Sequence, residues 1–280
     1  MPRRAEPQLP AEVPATGTPA AAMAKPLVHV EQVMGTVVSF DVRFRAESAR
    51  SSMRAAVADA VTWLHRVDDV FSTYQPGSQV SRLGRGELRL VDCDGDVAEV
   101  LELCAQVGRE SDGYFSSMYG GKLDPTGVVK GWAIQRASEV LSSAGSTHHL
   151  VNGGGDIQAV GGSAPGVPWQ VGIAHPLAPA AFASVVQLTD GAVATSGTAE
   201  RGAHVLNPFT GQPALALASV TVVGRDLIRS DAYATAAMAM EGGARRWLEG
   251  CAGYEAFAVA ADGFGWWTSG YPRLGTVPAV

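Results

Sequence analysis

The chain has 280 residues, 46% hydrophobic and 17% charged, with a formal net charge of −6. The length allows one large or two modest globular domains, the composition suits a soluble protein with a substantial core, and the acidic balance argues against a general nucleic-acid or anionic-membrane surface. No run approaches the roughly 18 apolar residues of a membrane span, and the three cysteines, with no C-x-x-C pair, suit buried thiols in a reducing compartment.

Residues 1–25 read as a disordered Pro/Ala-rich tail. Arg3-Arg4 is followed by prolines and not by an apolar h-region, so the expected location is the cytoplasm. Leu27–Val33 and Thr36–Phe44 alternate as two strands joined around Met34-Gly35. A helix follows over Ser52–Val70, then a polar loop through Ser72–Gly77, then helices over Val97–Val107 and Val129–Ser143. The second half is richer in strands. Leu150–Val151, Ile157–Val160, Trp169–Ala174, Ser184–Leu188, Ala192–Thr195 and Ser219–Val223 are short ones, with Asp190-Gly191 marking a hairpin between two of them. A helix over Asp231–Leu248 precedes a final pair, Ala256–Ala260 and Phe264–Thr268, across Asp262-Gly263. Strands grouped between helices, without regular βαβ alternation, predict an α+β fold. No linker divides residues 26–280.

Four constellations carry chemistry. Asp124-Pro125-Thr126-Gly127 opens a helix that bears Lys130 one turn in, and helix N-termini attract anions; the same residues also suit an ordinary turn with a solvated lysine. Asp231 and Thr235, four apart, share one helical face and offer hard oxygens suited to Mg²⁺, although an Asp near a helix start also simply complements the dipole. Gly153-Gly154-Gly155-Asp156 lets backbone approach a ligand closely or turns a sheet corner. His204 precedes a turn at Asn207–Gly211, placed to act as a base or as a hydrogen-bonded structural residue.

In their order along the chain these blocks resemble the ApbE family. The series runs Met34-Gly35-Thr36, Phe71-Ser72-Thr73-Tyr74-x-Pro76-x-Ser78, Ser111-Asp112-Gly113-Tyr114-Phe115, and Gly127-x-x-Lys130-Gly131-Trp132-Ala133. It continues with Asn152-Gly153-Gly154-Gly155-Asp156, Ala194-Thr195-Ser196-Gly197, His204-x-x-Asn207-Pro208-x-Thr210-Gly211 and Asp231-Ala232-x-Ala234-Thr235. The resemblance covers about residues 30 to 270. It implies a T-fold-related α+β arrangement and FAD:protein FMN transferase activity, in which FAD is split, FMN is esterified to a Thr or Ser of an acceptor flavoprotein, and AMP leaves. An FAD pyrophosphatase is the alternative enzyme, and a flavin-storage protein the non-catalytic one.

Carried over by position, Met34, Tyr74, Tyr114, Phe115, Ser116, Asp124, Lys130 and Val205 are implied to line the FAD site. Gly127 (through its carbonyl), Asp231 and Thr235 are implied to hold Mg²⁺, and His204 to activate the acceptor hydroxyl, with Asp231 able to share that role. Met34, Tyr74 and Phe115 are expected to supply flat apolar contacts to the rings. Two positions depart from the family pattern: Ser116 stands where relatives often carry Asp, and Ala199 where Tyr is common.

Overall fold

A computed structural model describes residues 23–178, 180–199, 202 and 205–277. Among the described residues, eight strands form one antiparallel sheet in the order β1-β2-β5-β6-β9-β10-β11-β12. These are β1 (Leu27–Val33), β2 (Thr36–Val42), β5 (His149–Gly153), β6 (Asp156–Val160), β9 (Gly191–Gly197), β10 (Leu217–Gly224), β11 (Tyr254–Ala260) and β12 (Gly265–Trp267). Short hairpins form from β3 (Met118–Tyr119) with β4 (Lys122–Leu123), and from β7 (Trp169–Ala174) with β8 (Phe182–Leu188). The helices are α1 (Arg50–Phe71), α2 (Gln79–Gly84), α3 (Gly95–Glu110), α4 (Thr126–Ser143), α5 (Leu227–Met240) and α6 (Ala244–Glu249). The class is α+β.

Strand periodicity explains the layering. In β9, β10 and β11, Ala192, Ala194, Val220, Val222, Ala256 and Ala258 join a core under the helices. Their alternates Val193, Val223, Phe257 and Val259 join a second cluster with Trp169, Val171 and Val186 of β7–β8. Successive side chains on a strand point to opposite faces, so a sheet this apolar on both sides needs a cover on each. The helical cover is fixed by the aromatic contacts of Trp132 with Trp63 and Phe71, at ring-centroid distances of 5.0 and 5.5 Å.

Several sequence expectations change. Asp190-Gly191 does not turn a β8–β9 hairpin: β8 pairs with β7, and β9 lies between β6 and β10. The Asp190 carboxylate instead accepts the Gly161 N–H at 2.8 Å, closing the base of the excursion that leaves the sheet after β6. The helix expected over Asp231–Leu248 starts earlier, at Leu227, and ends at Met240. There Glu241 takes a left-handed φ of 52°, and its carboxylate accepts the Leu215 and Ala216 N–H groups at 2.9 and 3.0 Å. Of the stretch expected as a tail, only residues 23–25 are described. Residues 1–22 lie outside the described residues, but Ala24 donates its N–H to Phe44 at 2.9 Å, and Lys25 accepts from Arg50 at 2.7 Å.

His149 is fully buried in β5, its Nε2 2.8 Å from Ser138 Oγ and its Nδ1 3.0 Å from Ser146 Oγ. Burial disfavours the imidazolium and pushes its pKa down from 6.5 to about 4. The unfolded chain therefore binds the extra proton first. The stabilisation is complete above the unfolded value and is lost as pH falls from 6.5 toward 4. Between about pH 7.5 and about pH 5 this one group is expected to remove about 2 kcal/mol of stability. Urea unfolding of wild type and His149→Gln at both pH values checks it: the wild type should lose more stability on acidification than the variant by about that amount.

Candidate functional site

Two hairpin turns sit side by side at one end of the main sheet. Val33 pairs with Thr36 across Met34-Gly35, and Gly153 pairs with Asp156 across Gly154-Gly155. All four turn residues have positive φ, which a two-residue hairpin of this twist requires. The Gly154 N–H donates to the Val37 carbonyl at 3.2 Å, and a Cβ on Gly154 would lie 2.6 Å from Thr36 Oγ1, so only glycine permits this approach. The end of β9 reaches the same place: the fully buried Asp156 accepts the Thr195 N–H at 3.0 Å.

Helices α4 and α5 cross over this end. Their separation is set by glycine, since a Cβ on Gly131 would lie 2.7 Å from the Leu227 carbonyl oxygen and 3.0 Å from Asp231 Cβ. A Cβ on Gly127 would meet the Phe115 ring at 2.9 Å, with Thr235 Cγ2 at 3.8 Å. Through that close crossing the Gly131 N–H donates to Asp231 Oδ2 at 3.1 Å. A regular helix pairs the amide of residue 131 with the carbonyl of residue 127, so the carboxylate competes for the donor that would satisfy Gly127.

Asp231 is only 4% exposed. The dipole-complementing role belongs to a different residue, because Asp226 caps α5 by accepting the Arg229 N–H at 2.9 Å. One turn beyond Asp231, Thr235 Oγ1 lies 3.2 Å from Ser196 Oγ at the end of β9. Asp231 and Thr235 therefore lie one turn apart on α5 and both face α4, Asp231 against Gly131 and Thr235 beside Gly127. Ser196 joins them, although its place in a strand gives no such signal.

The other expected residues distribute unevenly. Lys130 forms an ion pair with Asp156, so its ammonium faces the sheet end and already has a buried carboxylate as partner. Asp124 accepts from the Thr126 N–H and hydroxyl at 3.0 and 2.6 Å, organising the start of α4. Met34 is half-buried in its turn, and Val205 is buried, its carbonyl accepting the Ala214 N–H at 3.0 Å. Ser116 Oγ accepts the Met118 N–H at 3.0 Å, a local turn bond. Phe115 is a correction: it is 3% exposed, with its ring packed under Gly127, and so shapes the start of α4 instead of offering a face to a ligand ring. Tyr74 is 94% exposed on the loop between α1 and α2. His204 lies outside the described residues.

Tyr114 packs edge-to-face against Phe209 with centroids 4.9 Å apart. Nothing in the sequence pattern marks Phe209, which fills a variable position in its motif. Two hollows elsewhere on the surface have volumes of about 650 and 410 Å³. The larger is lined by Arg136 already paired with Glu99 and Glu139, so chemistry and not volume selects the site at the α4–α5 crossing.

A profile of the ApbE family matches residues 34–121 and 116–258. The FAD:protein FMN transferase of Vibrio cholerae is 30% identical over 128 residues, 42% of this chain and 38% of that protein. The FAD:protein FMN transferase of Rhodobacter capsulatus is 33% identical over 125 residues, 41% of this chain and 23% of that protein. These alignments span well under half of the curated relatives' length. In fold, the chain is similar to the flavin transferase ApbE from Vibrio cholerae, with a TM-score of 0.74 at 19% identity over 89% of this chain and 99% of that one. It is similar also to the ApbE protein of Thermotoga maritima, with a TM-score of 0.78 at 21% identity over the same shares. Since the family profile runs from the Met34 turn into β11, the chain belongs to the ApbE family.

Proposed function

We propose that this chain is a Mg²⁺-dependent FAD:protein FMN transferase. The observation that carries the reading is the α4–α5 crossing, where Gly131 lets the buried Asp231 carboxylate reach its own N–H, and Thr235, one turn on, lies beside Gly127 at the start of α4. The donors fit the ion: one carboxylate, one hydroxyl and a backbone carbonyl are hard oxygens. Mg²⁺ usually takes few protein ligands and completes its shell with water and phosphate. Among the described residues no three His, Cys, Asp or Glu side chains gather in one place.

Asp231, Thr235 and the Gly127 carbonyl would hold Mg²⁺, which when bound neutralises charge growing on the pyrophosphate oxygens. Lys130 adds a positive charge at the same end, shared with Asp156. The acceptor Thr or Ser oxygen forms the new bond to the FMN phosphorus as the bond to AMP breaks, and AMP leaves. His204, by its sequence position, takes the hydroxyl proton. The names of the relatives support the activity, and the blocks shared with the family support the residue roles.

We place the protein in the cytoplasm. Cys93, Cys104 and Cys251 are free, and burial pushes Cys104 up to about 12 and Cys251 to about 11, keeping both as thiols. No described helix is long and apolar enough to cross a membrane.

Incubation with FAD and Mg²⁺, with and without a Thr-containing acceptor peptide, tests the activity. Peptide carrying FMN, seen as a mass shift, is the expected product. Free FMN alone would instead mark a pyrophosphatase, and an unchanged FAD pool a storage protein.

A further inference from the structure

Phe209 leaves 65% of its surface in water although a large core lies beside it. Its position is built. Asn207 Oδ1 accepts the Phe209 and Thr210 N–H groups at 2.9 and 3.3 Å, and the Gly211 N–H closes the turn on the Asn207 carbonyl at 2.8 Å. Asn207 Nδ2 then donates to the Ala239 carbonyl at 3.3 Å, tying the turn to α5. On the other side, a Cβ on Gly113 would lie 3.2 Å from Phe209 Cζ, so glycine leaves room for the ring against Tyr114. Two aromatic rings held at 71° to each other on two short, hydrogen-bonded turns have lost most of their freedom before any ligand arrives.

The pair flanks the proposed metal site. Tyr114 precedes Phe115, whose ring touches Gly127, and Ala239 is one helical turn past Thr235, roughly 6 Å along the axis. A flat ring joined to a phosphate through a sugar chain spans such a gap. We infer that Phe209, with Tyr114, is a stacking ledge for a planar ring of the flavin dinucleotide, making Phe209 a substrate-binding residue. This rests on the proposed function, and either the isoalloxazine or the adenine has the required chemistry.

The test titrates wild type, Phe209→Ala and Phe209→Trp, with Mg²⁺ present, against FAD, FMN and AMP, and records melting temperatures alongside. Phe209→Ala is expected to weaken one half of the dinucleotide about tenfold, the usual scale of one base–aromatic stack, with an unchanged melting temperature. Loss of FMN affinity assigns the isoalloxazine, and loss of AMP affinity the adenine. Phe209→Trp should retain binding, and if the flavin is the stacked ring it should deepen the quenching of bound FMN fluorescence, which a purely structural role would not do. Unchanged affinity of Phe209→Ala for both halves overturns the ledge and leaves the transferase reading standing. A wild type that binds no FAD overturns both.

Discussion

Replacing Asp231 with Asn is expected to slow FAD turnover by about 10²–10³-fold, the scale at which one strong electrostatic contribution to a transition state is lost. The change is nearly isosteric and keeps an oxygen able to accept the Gly131 N–H, so the α4–α5 crossing should survive. What goes is the charge that offsets a dication. Thr235→Ser keeps its hydroxyl beside Ser196 and should cost far less. Initial rates of FMN formation across a Mg²⁺ series, with melting temperatures as a folding control, check the pair. Equal rates for Asp231→Asn and wild type at limiting Mg²⁺ would remove this carboxylate from the metal site.

Gly131→Ala is expected to lower stability by about 1–3 kcal/mol and to raise the Mg²⁺ requirement at the same time. Alanine is the better helix former by about 1 kcal/mol, yet the added methyl would sit 2.7 Å from the Leu227 carbonyl oxygen. That neighbour is backbone and cannot rotate aside, so α5 must shift, and overpacking of this kind typically costs about 1–3 kcal/mol. The methyl also meets Asp231 Cβ at 3.0 Å and so moves the proposed ligand itself. Gly95→Ala serves as a control, because a Cβ there meets nothing within 4 Å. Thermal unfolding and Mg²⁺ activation curves for both variants separate a local wedge from a general helix effect. A Gly131→Ala protein as stable as wild type, with the same Mg²⁺ curve, would count against the crossing as the determinant of the site.

What was legible in the sequence follows the range of the interactions involved. The turn at Met34-Gly35 and the face shared by Asp231 and Thr235 rest on residues within a few positions of each other, and local periodicity reveals them; the glycines of 153–155 suit a ligand approach or a sheet corner equally, and only the pairing of Gly153 with Asp156 makes them a hairpin. The Gly131–Asp231 bond joins positions one hundred residues apart, so no window on the chain contains it. The Phe209–Tyr114 pair is hidden for the same reason. Met238, Met240, Ala244 and Leu248 keep an apolar rhythm across the break, which suits a continuous helix over 231–248. The stop comes from Glu241, whose carboxylate is drawn to the Leu215 and Ala216 amides. Asp190-Gly191 misleads in a similar way: its composition suits a hairpin, but the sheet gives β9 two other neighbours. Phe115 shows a further limit, since an aromatic residue beside a binding motif reads the same whether it faces a ligand or supports the helix that does.

The β7–β8 excursion returns to the sheet where it left it, yet it is not held by its own hairpin alone. Gln187 donates its N–H to Leu274 at 2.8 Å, the Thr276 N–H donates to Val185 at 3.0 Å, and Tyr271 reaches Ser184 at 2.8 Å. Synthesis proceeds from the N-terminus, and domains organise as they emerge. Residues 182–188 therefore appear well before the segment that clamps them. Until residues 271–276 leave the ribosome, the underside of β6, β9 and β10 has only a loosely tethered cover, and Ile157, Val193 and Val223 stay within reach of water or of a chaperone. In the growing chain, the helical side that carries the proposed site can consolidate first, and the opposite side closes last.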